Sequence, residues 1–220
     1  MATKQAVLID PVVETAERDA KIINELGLEL VYMLNTHVHA DHITGTGALK
    51  HKFFPKAKSV LGTEGNEAAK ADIKVKHGEV LTVGNQVLEV RRTPGHTEGC
   101  VSYVWTERGD AAPLAAFTGD AVLIRACGRT DFQGGSPKTL YQSVWEQVLS
   151  LPDNTAIYPA HDYKGHMMST VGEEKALNPR LTKTMPQFEE IMNTLNLPYP
   201  KKIDASLPAN RLDGEAPSAA

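Results

Sequence analysis

The apolar run Leu30-Val31-Tyr32-Met33-Leu34 is followed by Thr36-His37-Val38-His39-Ala40-Asp41-His42, three imidazoles and a carboxylate within six positions. A short apolar run bounded by polar residues reads as a buried strand, so the cluster stands at a strand end. On extended backbone alternate side chains share a face, and His37 and His39 can point the same way while Val38 packs behind them. Asp41 and His42 come where the chain turns into Ile43-Thr44-Gly45-Thr46-Gly47, whose glycines permit a tight exit. A polar loop has no need of that ligand density at that place. A metal ion does.

The bulk numbers set few other limits. With 220 residues the chain can bury a full core as a single domain, 1–220, and its 41% hydrophobic and 23% charged content is that of an ordinary globular protein. A formal charge of -4 offers no basic excess for a nucleic-acid or anionic-membrane partner. No apolar run approaches the ~20 residues of a membrane span. Met1 to Gln5 carries neither a secretory apolar core nor an Arg-rich amphipathic pattern. Cys100 and Cys127 are too few for a disulfide scaffold and read as small core residues. The expected location is cytoplasmic.

Apolar patterning predicts strands at Gln5 to Asp10, Leu28 to Leu34, Ser59 to Leu61, Val101 to Trp105, Leu114 to Thr118 and Ala156 to Tyr158. A hairpin is expected from Val80 to Val83 and Val87 to Val90 about the turn Gly84-Asn85. Helical spacing runs from Glu14 to Leu26, Thr46 to Phe53, Glu64 to Ala71, Leu140 to Leu149, Thr170 to Leu177 and Met185 to Leu195. The part after about residue 164 is therefore mostly helical. Beyond about residue 205, Pro, Ala, Ser and Gly predict a frayed tail. Four strand-like runs end in turns carrying His37 to His42, His96, Asp120 and His161. Rigid elements that finish on one sheet edge can hold ligands in fixed positions.

His37-Val38-His39-Ala40-Asp41-His42, Pro94-Gly95-His96-Thr97, Thr118-Gly119-Asp120 and Pro159-Ala160-His161-Asp162-Tyr163 resemble the ligand motifs of the metallo-β-lactamase superfamily. That resemblance implies an α+β fold, a four-layer αββα sandwich. Within the superfamily the chain is similar to the glutathione persulfide dioxygenases. The similarity rests on Asn35 to Gly45, Asp120 to Gln133, Leu177-Asn178-Pro179-Arg180-Leu181-Thr182 and Asn196-Leu197-Pro198.

The family implies one Fe(II) per chain on His37, His96 and Asp120, with glutathione persulfide and O2 as substrates and sulfite and glutathione as products. Its role is in sulfide and sulfane-sulfur catabolism. Two imidazoles and one carboxylate on one face of an ion leave positions open for oxygen chemistry. His39, Asp41, His42 and His161 are expected to orient ligands and water, and Asp162 to orient a neighbour. Arg129 and Tyr163 map onto residues beside the glutathione moiety, where a guanidinium fork suits a carboxylate and a phenol can donate near the metal. Arg129 can instead pair with Asp131. Family members usually carry one more strand before Gln5 to Asp10, which leaves a sheet edge here for a partner such as a second copy in a homodimer. A targeting segment preceding this beginning would move the location to the mitochondrial matrix.

The nearest rival is a glyoxalase II-type thioester hydrolase, whose second metal would use Asp41, His42 and His161. Against it stand the short chain after Tyr163 and the continuation Gly128-Arg129-Thr130-Asp131-Phe132. A scaffold keeping metal for structure conflicts with open coordination positions. A nuclease would need a nucleic-acid-binding region that this charge balance does not supply.

Overall fold

Parallel pairing decides where the His-rich loop emerges. The computed structural model describes residues 3–107, 109, 112–162 and 165–215. In chain order the elements are β1 (Gln5–Ile9), α1 (Ala16–Glu25), β2 (Glu29–Leu34), α2 (Thr46–Lys52), β3 (Lys58–Gly62), β4 (Ile73–Val75), β5 (Val80–Val83) and β6 (Gln86–Arg92). There follow β7 (Val101–Glu107), β8 (Ala115–Gly119), α3 (Pro137–Gln147), β9 (Ala156–Pro159), β10 (Ser169–Thr170), α4 (Val171–Leu177), α5 (Met185–Asn193) and α6 (Ile203–Asn210). They divide into two compact units, one made of residues up to 75, 83–85 and 198 onward, the other of 76–82 and 86–197.

The first unit holds a sheet ordered β1-β2-β3-β4 with every pair parallel. Parallel neighbours require crossovers, and α1 and α2 supply two of them. On α1, Ala16, Ala20 and Ile23 recur at helical spacing and pack with Leu30, Met33 and Leu49. Because β1 and β2 run the same way, with Ile9 opposite Leu34, the residues after each strand leave on one edge. Asp10 thereby arrives beside Thr36.

The second unit holds a sheet ordered β10-β9-β8-β7-β6-β5. β6 and β8 are each antiparallel to β7, so they run alike, and β9 is parallel to β8. The exits of β6, β8 and β9 therefore share an edge, and they carry His96, Asp120 and His161 in turn. Val104, Ala116, Leu140, Val144, Ile157 and Phe188 belong to the buried core beneath. Ser136 caps α3 through Thr139 N, with Pro137 in its first turn. A Cβ on Gly95, whose φ is +132°, would lie 2.3 Å from Leu140 backbone, so only glycine lets this turn press against α3.

Two expectations are corrected. Glu64 to Ala71 is a series of turns, because Gly65 adopts φ 78° and Asn66 folds back, its amide donating to Gly62 O at 3.2 Å. The segment after residue 205, expected to fray, continues α6, with Ser206, Ala209 and Asn210 buried. Its partners lie more than 160 residues away in sequence, which no local pattern reveals.

Candidate metal centre

In the first unit the His-rich loop is organised by a residue outside the motif. Asp10 takes the Thr36 amide at 2.7 Å on Oδ1 and the Thr36 hydroxyl at 2.8 Å on Oδ2. The same oxygen Oδ1 lies 2.9 Å from His39 Nε2. Burial alone would raise the Asp10 carboxyl, but the His39 charge and the hydrogen bonds from His39 and Thr36 hold it below the usual carboxylate range. The Thr36 hydroxyl points its hydrogen at Asp10 Oδ2, so at 3.0 Å from His37 Nδ1 it acts as acceptor. His37 then carries its proton on Nδ1, which makes Nε2 the basic nitrogen. A histidine that ligates through Nε2 needs that tautomer.

His37 and His39 are each 1% exposed, with ring centroids 4.1 Å apart, and His39 lies 4.3 Å from the His42 ring. His42 Nδ1 and Asp41 Oδ2 are 3.0 Å apart. His39, Asp41 and His42 each offer a ligand atom within 4.8 Å of the others.

In the second unit, Asp120 is flanked by His96 Nε2, 3.5 Å from Oδ2, and His161 Nε2, 3.5 Å from Oδ1. Those separations are long for hydrogen bonds. Two donors each ~2.1 Å from one ion stand roughly 3.0–3.4 Å apart at the angles metals adopt. Asp120 Oδ1 is also buried without a hydrogen-bond partner among the described residues. The donor set fits a cation. His96 Nδ1 donates to Arg129 O at 2.7 Å, so this imidazole too presents Nε2 as its basic nitrogen.

The segment carrying Arg129 is shaped by a contact that sequence reading passed over. A Cβ on Gly128 would lie 2.5 Å from Asp120 O and 2.8 Å from His96 Nδ1. Gly128 N donates to Asp120 O at 2.7 Å. Backbone can lie this close to the imidazole only without a side chain. Neighbouring Cys127 is a core thiol pushed up to about 11 by burial, hence no nucleophile near neutral pH.

Arg129 forms a two-pronged ion pair with Asp131, Nε to Oδ1 and Nη2 to Oδ2, both at 2.7 Å. Its guanidinium carbon lies 4.7 Å from the Phe132 ring centroid. The Asp131 hydrogen bond raises the arginine and the same bond lowers the aspartate. Asp162 Oδ1 accepts from His166 N at 2.9 Å. Tyr163 lies outside the described residues.

The fold and its histidine and aspartate turns place the chain in the metallo-β-lactamase superfamily, whose model matches residues 2–161. The mitochondrial persulfide dioxygenase ETHE1 of Mus musculus is 53% identical over 208 residues, covering 94% of this chain and 79% of that protein. The crystal structure of ETHE1 from Myxococcus xanthus superposes with a TM-score of 0.89 at 47% identity, over 97% of this chain and 91% of the other. A hydroxyacylglutathione hydrolase of Synechococcus is more distant, 35% identical over 161 residues, 73% of this chain and 60% of its own length. The chain belongs to the persulfide dioxygenase family of that superfamily. Among the described residues no helix is long and apolar enough to cross a membrane.

Proposed function

We propose that this enzyme oxidises glutathione persulfide with O2, using one ferrous ion held by His37, His96 and Asp120. Glutathione persulfide, O2 and water give glutathione, sulfite and two protons. The observation that carries the reading is the matched tethering of two imidazoles. His37 is tied through Nδ1 to Thr36, and His96 through Nδ1 to Arg129 O. Each is thereby set to offer Nε2 to a metal, and two imidazoles with one carboxylate make a donor set suited to non-haem iron. When bound, iron supplies the site where dioxygen and the terminal sulfur react.

The chain's other residues orient and bind. Asp10 keeps the Thr36 hydroxyl facing His37 as acceptor and seats His39. His39, Asp41, His42 and His161 organise water and the ligand side chains, and Asp162 holds the following turn. Arg129, whose Nε–Nη2 edge is taken by Asp131 and which lies over Phe132, would turn its remaining charge to a glutathione carboxylate, and Tyr163 would donate its phenolic proton near the sulfur. Nothing in the charge balance serves nucleic acid. A second copy of the chain covering the β1 edge would make a homodimer. The working compartment is the cytoplasm or, with a targeting segment, the mitochondrial matrix.

The rival is a dinuclear thioester hydrolase, kept in view by the Asp41, His42 and His161 donors. Anaerobic purification with metal analysis separates the two, followed by oxygen-electrode turnover on glutathione persulfide beside a thioester control. About one iron per chain with O2 uptake is the expected result. Two metals per chain with thioester turnover and no O2 uptake overturns the proposal.

A further inference from the structure

We infer that the segment from Asn210 to Gly214 is a strap that sets the backbone of the His-rich loop, and that Asn210 is a positioning residue for the metal-binding motif. Asn210 is 5% exposed. Its amide nitrogen donates to His39 O and His42 O, both at 2.8 Å, and its oxygen accepts from Thr44 N at 2.9 Å. Rotating the amide by half a turn would set its oxygen against two carbonyls, so the network admits one orientation. One side chain thus ties three points of the loop, two of them the backbone of motif histidines.

The strap continues past Asn210. Thr46 donates its hydroxyl proton to Asp213 O at 3.1 Å, and Lys70 N donates to Arg211 O at 2.8 Å. Gly214 adopts φ +83°, and a Cβ there would lie 2.5 Å from Thr44 O. The hold reaches the proposed ligand through contacting rings, since the His42 ring lies 4.3 Å from His39 and the His39 ring 4.1 Å from His37, both pairs tilted. The strap holds the loop through the Asn210 amide, the Asp213 carbonyl and the bare Cα of Gly214. Their work is to keep the His39 and His42 backbone where the three rings stay in contact.

This inference rests on the reading of His37 as a metal ligand, and the test separates the two. Full-length Asn210→Asp keeps the acceptor for Thr44 N but faces carboxylate oxygen toward His39 O and His42 O. Gly214→Val pushes the strap away at a second point. In the metal-free proteins, hydrogen exchange at residues 39–44 is measured against β7 as an internal control. Both variants are expected to raise exchange in the loop about tenfold while β7 is unmoved. In the iron-loaded proteins, release to a chelator should quicken about tenfold, with KM for persulfide within roughly twofold of the parent. Loop exchange unchanged in both variants, or raised equally in β7, overturns the strap. Loop exchange raised with iron release unchanged overturns the positioning role. His37→Ala runs alongside: if it keeps iron as tightly as the parent, the ligand reading fails, and loop exchange alone decides the strap.

Discussion

Replacing Gly128 by alanine puts a methyl group where a hydrogen was, at a place with no room. The new Cβ would stand 2.5 Å from Asp120 O, 2.8 Å from His96 Nδ1 and 2.9 Å from His96 Cγ, where ordinary contact begins at 3.4 Å. Relief therefore needs the Cβ to gain about 0.9 Å from the Asp120 carbonyl and about 0.6 Å from the imidazole, the differences between 3.4 Å and those contacts. Either motion stretches the 2.7 Å bond from Gly128 N to Asp120 O or the 2.7 Å bond from His96 Nδ1 to Arg129 O. Overpacking costs about 1–3 kcal/mol. At roughly 2–4 °C per kcal/mol for a chain of this size, about 2 kcal/mol lowers Tm by about 4–8 °C. The metal should suffer more than the fold, because both displaced residues are proposed ligands. Iron affinity is expected to fall by about tenfold to a hundredfold, measured by equilibrium chelator competition, with Tm followed on the metal-free protein. A Gly128→Ala protein that binds iron like the parent would refute the claim that this backbone approach seats His96.

His37→Ala and Asp120→Ala should each lose iron retention and O2 uptake together, by at least about a hundredfold in affinity, as metal analysis and an oxygen electrode would record. Arg129→Ala should raise KM for glutathione persulfide about tenfold with a smaller change in kcat, since a charged hydrogen bond is lost; an unchanged KM rejects its substrate role. Asp10→Asn removes acceptor capacity from Thr36, lets its proton turn to His37 Nδ1, and should lower iron affinity about tenfold to a hundredfold. Nitrogen chemical shifts of the metal-free protein would report the tautomer. Burial raises the Cys127 thiol from 9.0 to about 11, so the native state holds that proton more tightly than the unfolded chain. The corresponding stability, about 2–3 kcal/mol, is fully present below the unfolded value and is lost as pH rises through the window from 9 to 11. Urea unfolding across that range, compared with Cys127→Ala, checks the sign.

Long apolar runs made most of the fold legible. Val101 to Trp105 and Leu114 to Thr118 alternate or fill as buried strands do; the observed β7 contains the first, and β8 contains all of the second but Leu114. The three-residue β4 and two-residue β10 are too short to leave a periodic trace, and each exists because a neighbouring strand supplies its partners. The α6 segment failed for a related reason. Its composition is that of a loose end, and Pro208 stands inside the helix. What holds it is Asn210, bonded to backbone at His39, His42 and Thr44. A composition argument weighs only what a segment can bury by itself.

The candidate site divides along the same line. Residues that offer donor atoms to a metal must be histidines or carboxylates, and their types and turn positions stand out in a sequence. Residues that orient those donors need only one suitable polar atom, or none, at one place. Asp10 reads as a strand stop before Pro11, yet its carboxylate fixes both Thr36 and His39. Gly128 stands out in the sequence only as part of the Asp120 to Gln133 motif, yet its missing Cβ is what lets the Arg129 carbonyl reach His96. The one available signal for Asp10 was geometric: a parallel sheet puts the residue after β1 beside the residues after β2. An inference of register, added to an inference of strands, would have found it. The orienting groups matter because imidazole has two nitrogens and only one can face a metal with its lone pair. The fixed tautomers of His37 and His96 therefore depend on Thr36 and on Arg129 O, and the donor motif alone does not specify them.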